Sequence, residues 1–388
     1  MNVQFKVAAV QAAYVLLDRD ATLTRVEELV AEAAALGAEL VVFPEAFLPG
    51  TPLWIDSTPI WNGDGPWYAR LVEQAVIVPG PVTARLGATA RSNQVHLVIG
   101  VHEREPPDTT IYNTVLYFGS DGRLLTKHRK LVPTGSERTV WGQGDGSTLD
   151  VVQTPLGRLG GLICWENYMP LARFHLYAQG VEVWLAPTLA RGDGWVATMQ
   201  HIAREGRVWV VGVNPALHRD QIPHDLPHRD RIAPEPDPGD GDWTEPGNSV
   251  ICNPQGELVA GPLRRQEGIL TATIDLHQVA EQRRYFDPPA TTTGRTSSAS
   301  PSTPDRGGRS PQPPRHWPNQ PSRCFDRPQR GFDVASTACR DAPPQGEPLF
   351  TASHGAVRAR PNGRRDRLRR RRRRSSRCGQ RAIPATPT

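Results

Sequence analysis

The chain has 388 residues, with 45 Lys and Arg against 40 Asp and Glu, so its formal net charge is +5. This average hides two unlike parts, because residues 288–388 carry a net charge of +15 from 21 Arg and six acidic residues, whereas residues 1–287 carry −10. The same 101 residues hold 16 of the 38 prolines and only five Val, Ile or Leu, too few to bury a core. We therefore predict one acidic globular domain at 1–287 and a basic, disordered Pro- and Arg-rich tail at 288–388.

Composition also excludes several classes of protein. No apolar run reaches the roughly 18 residues that a membrane-spanning helix needs, and the apolar start lacks a small-residue cleavage site. The cysteines are odd in number and form no C-x-x-C pair, which fits neither a disulfide framework nor a zinc site: Cys164, Cys252, Cys324, Cys339 and Cys378. We expect a reducing, cytoplasmic setting.

The first elements along the chain form a predicted β-α-β unit. Residues 5–10 are typical of a buried strand, and residues 22–36 have apolar side chains at helical spacing up to Gly37. Residues 40–43 form a second β-type run, closed by a proline. Glu45 is thereby placed at the carboxyl end of a strand, where α/β proteins hold their chemistry.

Helices and strands continue to alternate along the chain, which predicts an α/β fold. Further helices are predicted at 82–92, 170–179, 195–205 and 277–284, and further strands at 96–101, 160–164, 181–186, 208–213 and 269–274.

A hairpin pattern occurs twice, which indicates two similar sheets. Residues 113–127 alternate around Ser120-Asp121-Gly122, and the Asn-Thr-Val start of that hairpin is echoed by the Asn-Ser-Val at 248–250. Between the two halves, residues 217–247 are rich in Pro, Asp, His and Gly and too long for a passive connection. We predict a surface or lid loop there.

Cys164 ends the apolar run Gly160-Gly161-Leu162-Ile163, where the chain turns towards a helix. A thiol at that point can be exposed while its neighbours are buried, and the Trp165 backbone N–H can face a developing oxyanion. The alternative is a buried core cysteine, the usual role of a lone Cys.

Glu45 and Lys130 also follow predicted strands. A carboxylate beside a thiol can accept its proton, and a nearby ammonium stabilises negative charge on the attacked substrate. Sequence spacing alone does not show that the three meet in space, and each taken singly also fits a solvated surface position. The pattern thus predicts a Cys-Glu-Lys constellation that only structure can test.

Three segments strengthen this interpretation: FPEAFLPG (43–50), HRKLVPTGSERTVWGQGDGS (128–147) and GGLICWENYMPLAR (160–173). They resemble the three catalytic blocks of the nitrilase superfamily, and Cys-Trp-Glu-Asn-Tyr resembles its nitrilase branch. The resemblance spans about 7–287. It implies a four-layer α-β-β-α sandwich with Glu45 as general base, Lys130 as electrostatic stabiliser and Cys164 as nucleophile. Glu137 matches a second glutamate that helps to hold the lysine.

The resemblance further implies hydrolysis of a nitrile to a carboxylic acid and ammonia through a thioimidate and a thioester on Cys164. Some amide is released if the tetrahedral intermediate expels the thiol. No metal or organic cofactor is required, and a homo-oligomer, dimeric or larger, is expected. An amidase or a cyanide dihydratase of the same superfamily is the alternative activity.

Aromatic residues near the motifs predict a pocket for an aryl or arylalkyl nitrile, with core or subunit packing as the equally good alternative. The residues assigned to substrate binding are Phe47, Trp54, Trp165 and Tyr168, and Trp61 and Trp195 are further possible lining residues. Pro187-Thr188-Leu189-Ala190 departs from the Pro-Thr-Trp-Asp associated with many nitrilases. That departure bears on substrate range more than on mechanism.

The tail has two interpretations. Arg369–Arg374 are six consecutive arginines, which can bind nucleic acid through salt-sensitive electrostatics. A protein that binds nucleic acid without catalysis is therefore a rival hypothesis, against which the intact Glu45, Lys130, Glu137 and Cys164 speak. Composition favours a shifted reading frame, because the Gly-His-Tyr segment expected after Phe286-Asp287-Pro288 is replaced by Arg, Pro and Ser. We thus expect a small-molecule substrate, no membrane and no nucleic-acid partner.

Overall fold

The structure is a computed structural model that describes residues 4–58, 60–233 and 235–293. One sheet has the strand order β13-β1-β2-β3-β4-β5, with β1, β2 and β3 parallel and the other neighbours antiparallel. Its strands are β1 (Gln4–Gln11), β2 (Leu40–Val42), β3 (His96–Arg104), β4 (Ile111–Phe118), β5 (Leu124–Arg129) and β13 (Gly268–Asp275). We call it the first sheet.

The second sheet has the order β10-β11-β9-β8-β7-β6, and β12 pairs with β11 beside it. Strands β7, β8 and β9 are parallel. Its strands are β6 (Val152–Thr154), β7 (Gly157–Gly161), β8 (Val183–Pro187), β9 (Trp209–Val213), β10 (Ala216–His218), β11 (Trp243–Cys252) and β12 (Leu258–Arg264).

Seven α-helices lie within the described residues. They are α1 (Arg19–Ala35), α2 (Gly65–Gln74), α3 (Pro81–Ser92), α4 (Pro170–Ala178), α5 (Gly192–Gly206), α6 (His277–Arg283) and α7 (Pro288–Thr293). Helix α1 begins where the Asp18 carboxylate accepts a hydrogen bond from the Ala21 backbone N–H. It ends before Gly37, as predicted, because the positive φ of that residue favours glycine.

Strand periodicity divides the core into layers. On β1, Val7 and Ala9 face the second sheet and pack with Val183 and Leu185 of β8. The alternate side chains of β1 pack in a separate cluster with the apolar faces of α1 and α3, and the outer face of the second sheet packs against α4 and α5. The predicted four-layer α-β-β-α sandwich is confirmed.

The predicted repeat is present as two antiparallel hairpins, one in each sheet. β4 and β5 form the outer hairpin of the first sheet, and β11 and β12 form its counterpart in the second. Asn113 on β4 and Asn248 on β11 occupy matching positions, as do Lys130 just after β5 and Arg264 at the end of β12.

One local prediction was wrong, and another held for only one of its two alternatives. Residues 217–247 run largely over the surface, as predicted, but they are not a free lid, because Leu226 and Ile232 are buried in the core and the Pro227 carbonyl accepts a bond from the Trp67 indole N–H at 2.7 Å. These buried apolar side chains fix an otherwise polar segment against the core. The strand predicted at 160–164 ends at Gly161, and Cys164 begins a 3-10 turn instead.

Residues 294–388, which hold nearly all of the predicted tail, lie outside the described part of the chain. The last described helix, α7, occupies Pro288–Thr293, so the predicted disorder is wrong for the first six residues of the tail. Across the described helices, none combines the length and apolar character that a membrane-spanning segment requires.

Candidate active site

Four predicted residues meet where strands of the two sheets end. Glu45 follows β2, Lys130 follows β5, Glu137 lies in a 3-10 turn at 135–139 and Cys164 follows β7. One carboxylate oxygen of each glutamate and the Cys164 Sγ lie within 4.8 Å of one another. The structure therefore brings together the residues that the sequence pattern could not join by itself.

Glu45 is held from three directions. Its Oε1 accepts a hydrogen bond from the Leu189 backbone N–H at 2.7 Å. Its Oε2 accepts one from the Asn113 side-chain amide at 2.7 Å and lies 3.4 Å from Lys130 Nζ. Because Glu45 is only 2% exposed, these partners replace water and fix the direction of its lone pairs.

The backbone around Glu45 is tightly built. Ala46 has a φ of +49°, an uncommon conformation for a residue with a side chain. A Cβ on Gly100 of β3 would lie 2.4 Å from the Pro44 carbonyl oxygen and 2.5 Å from the Glu45 Cα. Only glycine permits this approach, so β3 packs directly against the backbone of Glu45.

Lys130 lies between the two carboxylates as their shared counter-ion. Its Nζ is 2.7 Å from Glu137 Oε2, and that oxygen also accepts a bond from the Thr134 backbone N–H at 2.6 Å. Burial lowers the lysine pKa, but the negative charges of Glu45 and Glu137 outweigh burial and raise it above its usual value. Burial also raises the pKa of Glu137, against the attraction of Lys130. Lys130 is thus a permanent cation here.

Cys164 carries a neutral thiol in this arrangement. Burial and the charge of Glu45 raise its pKa, and Lys130 only partly opposes them. Its Sγ lies 3.6 Å from the Leu189 carbonyl oxygen, to which the thiol donates. A φ of +52° turns the side chain away from the strand direction, a strain typical of functional residues. The thiol proton must therefore leave as a new bond forms, and Glu45 is the carboxylate placed to take it.

Glu166 joins the turns that carry Lys130 and Cys164, and sequence reasoning missed it. Its Oε1 accepts from the Leu131 backbone N–H at 2.5 Å, and its Oε2 accepts from the Ile163 backbone N–H at 2.8 Å. His128 Nε2 lies 3.1 Å from the same carboxylate. The signal available in the sequence was a glutamate two residues after the cysteine.

A metal could in principle be bound by Glu45, Glu137 and Cys164, because their ligand atoms are close enough. However, Lys130 Nζ contacts both carboxylates at 3.4 and 2.7 Å. The ammonium therefore takes the position that a metal cation would occupy.

A cavity of about 270 Å³ opens beside the cluster. Its lining combines the two glutamates with a few apolar side chains and a polar turn: Glu45, Thr51, Ile55, Asp56, Thr134, Gly135, Ser136, Glu137, Trp141 and Leu189.

The aromatic residues assigned to substrate binding lie elsewhere. Phe47 and Trp54 are buried in the core between the first sheet and its helices. Trp165 and Tyr168 stand on the 3-10 turn after Cys164 with 55% and 46% of their surface exposed. None of the four lines this cavity, so their role in substrate binding stays a prediction.

Comparison with known proteins agrees with this architecture. The family model described as carbon-nitrogen hydrolase matches residues 6–284. The chain belongs to the nitrilase superfamily of carbon-nitrogen hydrolases. Nitrilase 1 of Arabidopsis thaliana is 42% identical over 288 residues, which cover 73% of this chain and 82% of the relative. An aliphatic nitrilase of Sinorhizobium fredii is 43% identical over 291 residues, covering 73% and 91%. The predicted family, its nitrilase branch and the hydrolase class are confirmed.

Solved structures of the superfamily share the fold at low identity. Nit3 of Saccharomyces cerevisiae aligns with a TM-score of 0.57 at 22% identity, covering 76% of this chain and 97% of the other. An amidase from Nesterenkonia sp. aligns with a TM-score of 0.56 at 21% identity, covering 74% and 97%. These likenesses concern the sandwich and not the substrate.

Proposed function

We propose that the protein hydrolyses organic nitriles to the carboxylic acid and ammonia, with Cys164 as nucleophile. The observation that carries this proposal is the cluster of Cys164, Glu45 and Lys130 beside one cavity, in a chain whose relatives at 42–43% identity are named nitrilases.

In the first step the Cys164 sulfur attacks the nitrile carbon. The thiol proton passes to Glu45 and then to the nitrile nitrogen, which gives a thioimidate. Because the thiol is neutral before attack, proton transfer accompanies formation of the S–C bond. Lys130 and the Trp165 backbone N–H next to the nucleophile would stabilise negative charge on the substrate.

Water then adds to the thioimidate carbon, and cleavage of the C–N bond releases ammonia and leaves a thioester. Glu45 activates a second water, which cleaves the S–C bond and restores the thiol. Two waters are consumed for each nitrile. If the tetrahedral intermediate breaks at the S–C bond first, an amide is released; a Lupinus angustifolius relative at 42% identity is named a bifunctional nitrilase/nitrile hydratase.

We infer that aryl or arylalkyl nitriles are the preferred substrates. The cavity lining includes the apolar side chains of Ile55, Trp141 and Leu189, and apolar lining of this kind suits an aromatic ring. Amide or cyanide hydrolysis by the same cluster is the second activity to be tested.

The test is ammonia release from benzonitrile, phenylacetonitrile, an aliphatic dinitrile, cyanide and the matching amides. Cys164→Ala should abolish turnover. Cys252→Ala, which removes the other described free cysteine from a buried core position, should retain it. Ammonia release from amides but from none of the nitriles would contradict the proposal and indicate an amidase.

We also propose that the protein forms a homo-oligomer. Large apolar side chains are exposed near α4 and after α6, including Leu171 at 84% and Tyr285 at 78%, as expected of a contact surface. A monomeric mass in size-exclusion chromatography with light scattering would contradict this. The cytoplasmic location and the absence of a nucleic-acid partner stay predictions.

A further inference from the structure

A buried histidine outside the catalytic cluster joins two sides of the cavity. His102 on β3 is fully buried. Its Nε2 lies 3.0 Å from the Gly50 carbonyl oxygen, and its Nδ1 lies 3.1 Å from the Trp141 indole Nε1. Both ring nitrogens are therefore engaged by groups on separate segments of the chain.

The chemistry of those partners fixes the protonation of the ring. An indole N–H only donates, so His102 Nδ1 must accept; a carbonyl only accepts, so Nε2 must carry the hydrogen. Burial lowers the His102 pKa from 6.5 to about 3, with a small opposing effect of the Gly50 bond. A second proton would place two donors face to face, so the link exists only in the neutral ring.

Trp141 is the first of the two joined segments, and its ring forms a cavity wall. The ring centroid lies 5.4 Å from Lys130 Nζ, within range of a cation–π contact. The Trp141 backbone N–H donates to the Glu137 carbonyl oxygen at 2.9 Å. The position of this ring is thus connected both to the ammonium and to the turn that carries Glu137.

The second segment is the loop after Glu45. Gly50 precedes Thr51, which also lines the cavity, and the His102 backbone N–H donates to the Leu48 carbonyl oxygen at 2.9 Å. His102 therefore contacts this loop through both its backbone and its ring, although it does not line the cavity itself.

We propose that neutral His102 is a positioning residue that sets the width of the substrate cavity by linking the loop at 46–51 to Trp141. This inference rests on the proposed nitrile hydrolysis. Loss of the link leaves Glu45, Lys130 and Cys164 in place but frees one wall, so large substrates are affected more than small ones.

The first test compares His102→Gln with His96→Gln. His96 lies on the same strand and is also buried, and burial also lowers its pKa. It lines no part of the cavity. We expect His102→Gln to raise KM for phenylacetonitrile about 3- to 10-fold, the equivalent of one hydrogen bond, with kcat and the KM for cyanide changed less than twofold. His96→Gln should leave both KM values unchanged.

A double-mutant cycle with Trp141→Phe tests whether the two residues act together. Trp141→Phe removes the indole N–H but keeps an aromatic ring in the cavity lining. The KM of the double variant for phenylacetonitrile should therefore be no higher than that of the poorer single variant. Additive losses, or equal effects of His102→Gln on both substrates, would overturn the proposal.

A spectroscopic measurement separates this inference from the proposed function. In protein labelled with 5-fluorotryptophan, the Trp141 resonance is assigned by its loss in Trp141→Phe. It should shift in His102→Gln but not in His96→Gln, and should stay constant from pH 5 to 9 in the native protein. This measurement tests the hydrogen bond between His102 and Trp141 even if the protein turns over no nitrile. An unshifted resonance in His102→Gln, or a titrating one in the native protein, contradicts it.

Discussion

The two hairpins have the same design but different surroundings. In the first sheet, Asn113 and Lys130 are buried and both contact Glu45. In the second, the Asn248 amide oxygen accepts a bond from Arg264 Nε at 2.9 Å, and the Arg264 side chain is 39% exposed beside Asp193 at the surface. The same Asn and cation positions thus contact the candidate active site in one sheet and serve packing in the other.

Burial explains the difference. An exposed ion pair contributes between about 0 and 1 kcal/mol, whereas removal of one partner from a buried pair costs about 3–5 kcal/mol. The hairpin alone therefore does not make a site, which also needs the carboxylate of Glu45 after β2 and that of Glu137 in the turn after β5. The following predictions test this contrast, from the largest expected effect to the smallest.

Lys130→Met should lower kcat/KM at least about 1,000-fold, because it leaves two buried carboxylates without a counter-ion. The measurement is steady-state hydrolysis of the best nitrile, with circular dichroism and thermal unfolding to establish that the variant is folded. A folded variant with a tenth of the native activity would show that the lysine charge is not needed.

Glu245→Gln should change how stability depends on pH. Glu245 is buried on β11, where the Tyr14 hydroxyl donates to it at 2.8 Å. Burial raises its pKa from 4.5 to about 7, against the opposing effects of Tyr14, Thr51 and Arg191, and Glu45 adds to the rise. The folded state therefore holds a proton that the unfolded state loses, and stability declines as pH rises from 4.5 through 7.

This decline amounts to about 3 kcal/mol for a shift of this size, and the glutamine variant should lack it. The measurement is urea unfolding of both proteins at several pH values. Glu103→Gln on β3 is the matched contrast: burial raises that carboxyl's pKa, but Arg129 and Lys127 outweigh it and lower the pKa overall. The native protein should therefore lose the Glu103 contribution as pH falls. Parallel pH profiles for native protein and Glu245→Gln would contradict the prediction.

Asn113→Ala should lower kcat about 10- to 100-fold, because a hydrogen bond to a charged group is worth about 1.5–3 kcal/mol. Asn248→Ala removes the equivalent amide and should reduce the unfolding free energy while kcat stays within twofold. Equal losses of kcat in the two variants would show that the hairpins do not differ as described.

Arg264→Met should have the smallest effect on activity, less than about twofold in kcat, because Arg264 contacts Asn248 and the 90% exposed Asp193 but not Glu45. The unfolding free energy should fall by about 1 kcal/mol, mainly from the lost hydrogen bond to Asn248, since the exposed ion pair contributes little. Added salt should change the unfolding free energy of the native protein and of the variant by similar amounts. A loss of activity comparable to that of Lys130→Met would overturn the distinction between the two hairpins.

The sequence indicated the parts of the site that follow strands. Glu45, Lys130 and Cys164 follow predicted strands, and strand ends converge in α/β folds, so the pattern predicted a possible constellation without showing that the three residues meet. Leu189 could not be predicted, because it acts through its backbone N–H and carbonyl, which any residue supplies. His102 could not either, since its partners are 52 and 39 residues away along the chain.

The aromatic pocket assignment shows where local pattern stops being informative. Phe47 lies two residues from Glu45 in the chain, but the positive φ of Ala46 changes the direction of the backbone between them. Phe47 instead packs against Phe43 and Tyr14 at ring distances of 5.1 and 6.0 Å. Such a reversal depends on support from Gly100 on another strand, which spacing does not reveal.

The backbone and the side chain of Leu189 have different roles and are therefore open to different selection. Its N–H holds Glu45 and its carbonyl accepts from Cys164, while its side chain lines the cavity. The proposed base and nucleophile are thereby aligned by atoms that every amino acid shares, and the side chain of residue 189 is open to mutation. If the protein acts as proposed, substitution at position 189 in evolution or in the laboratory should alter the accepted nitrile without disturbing the reaction.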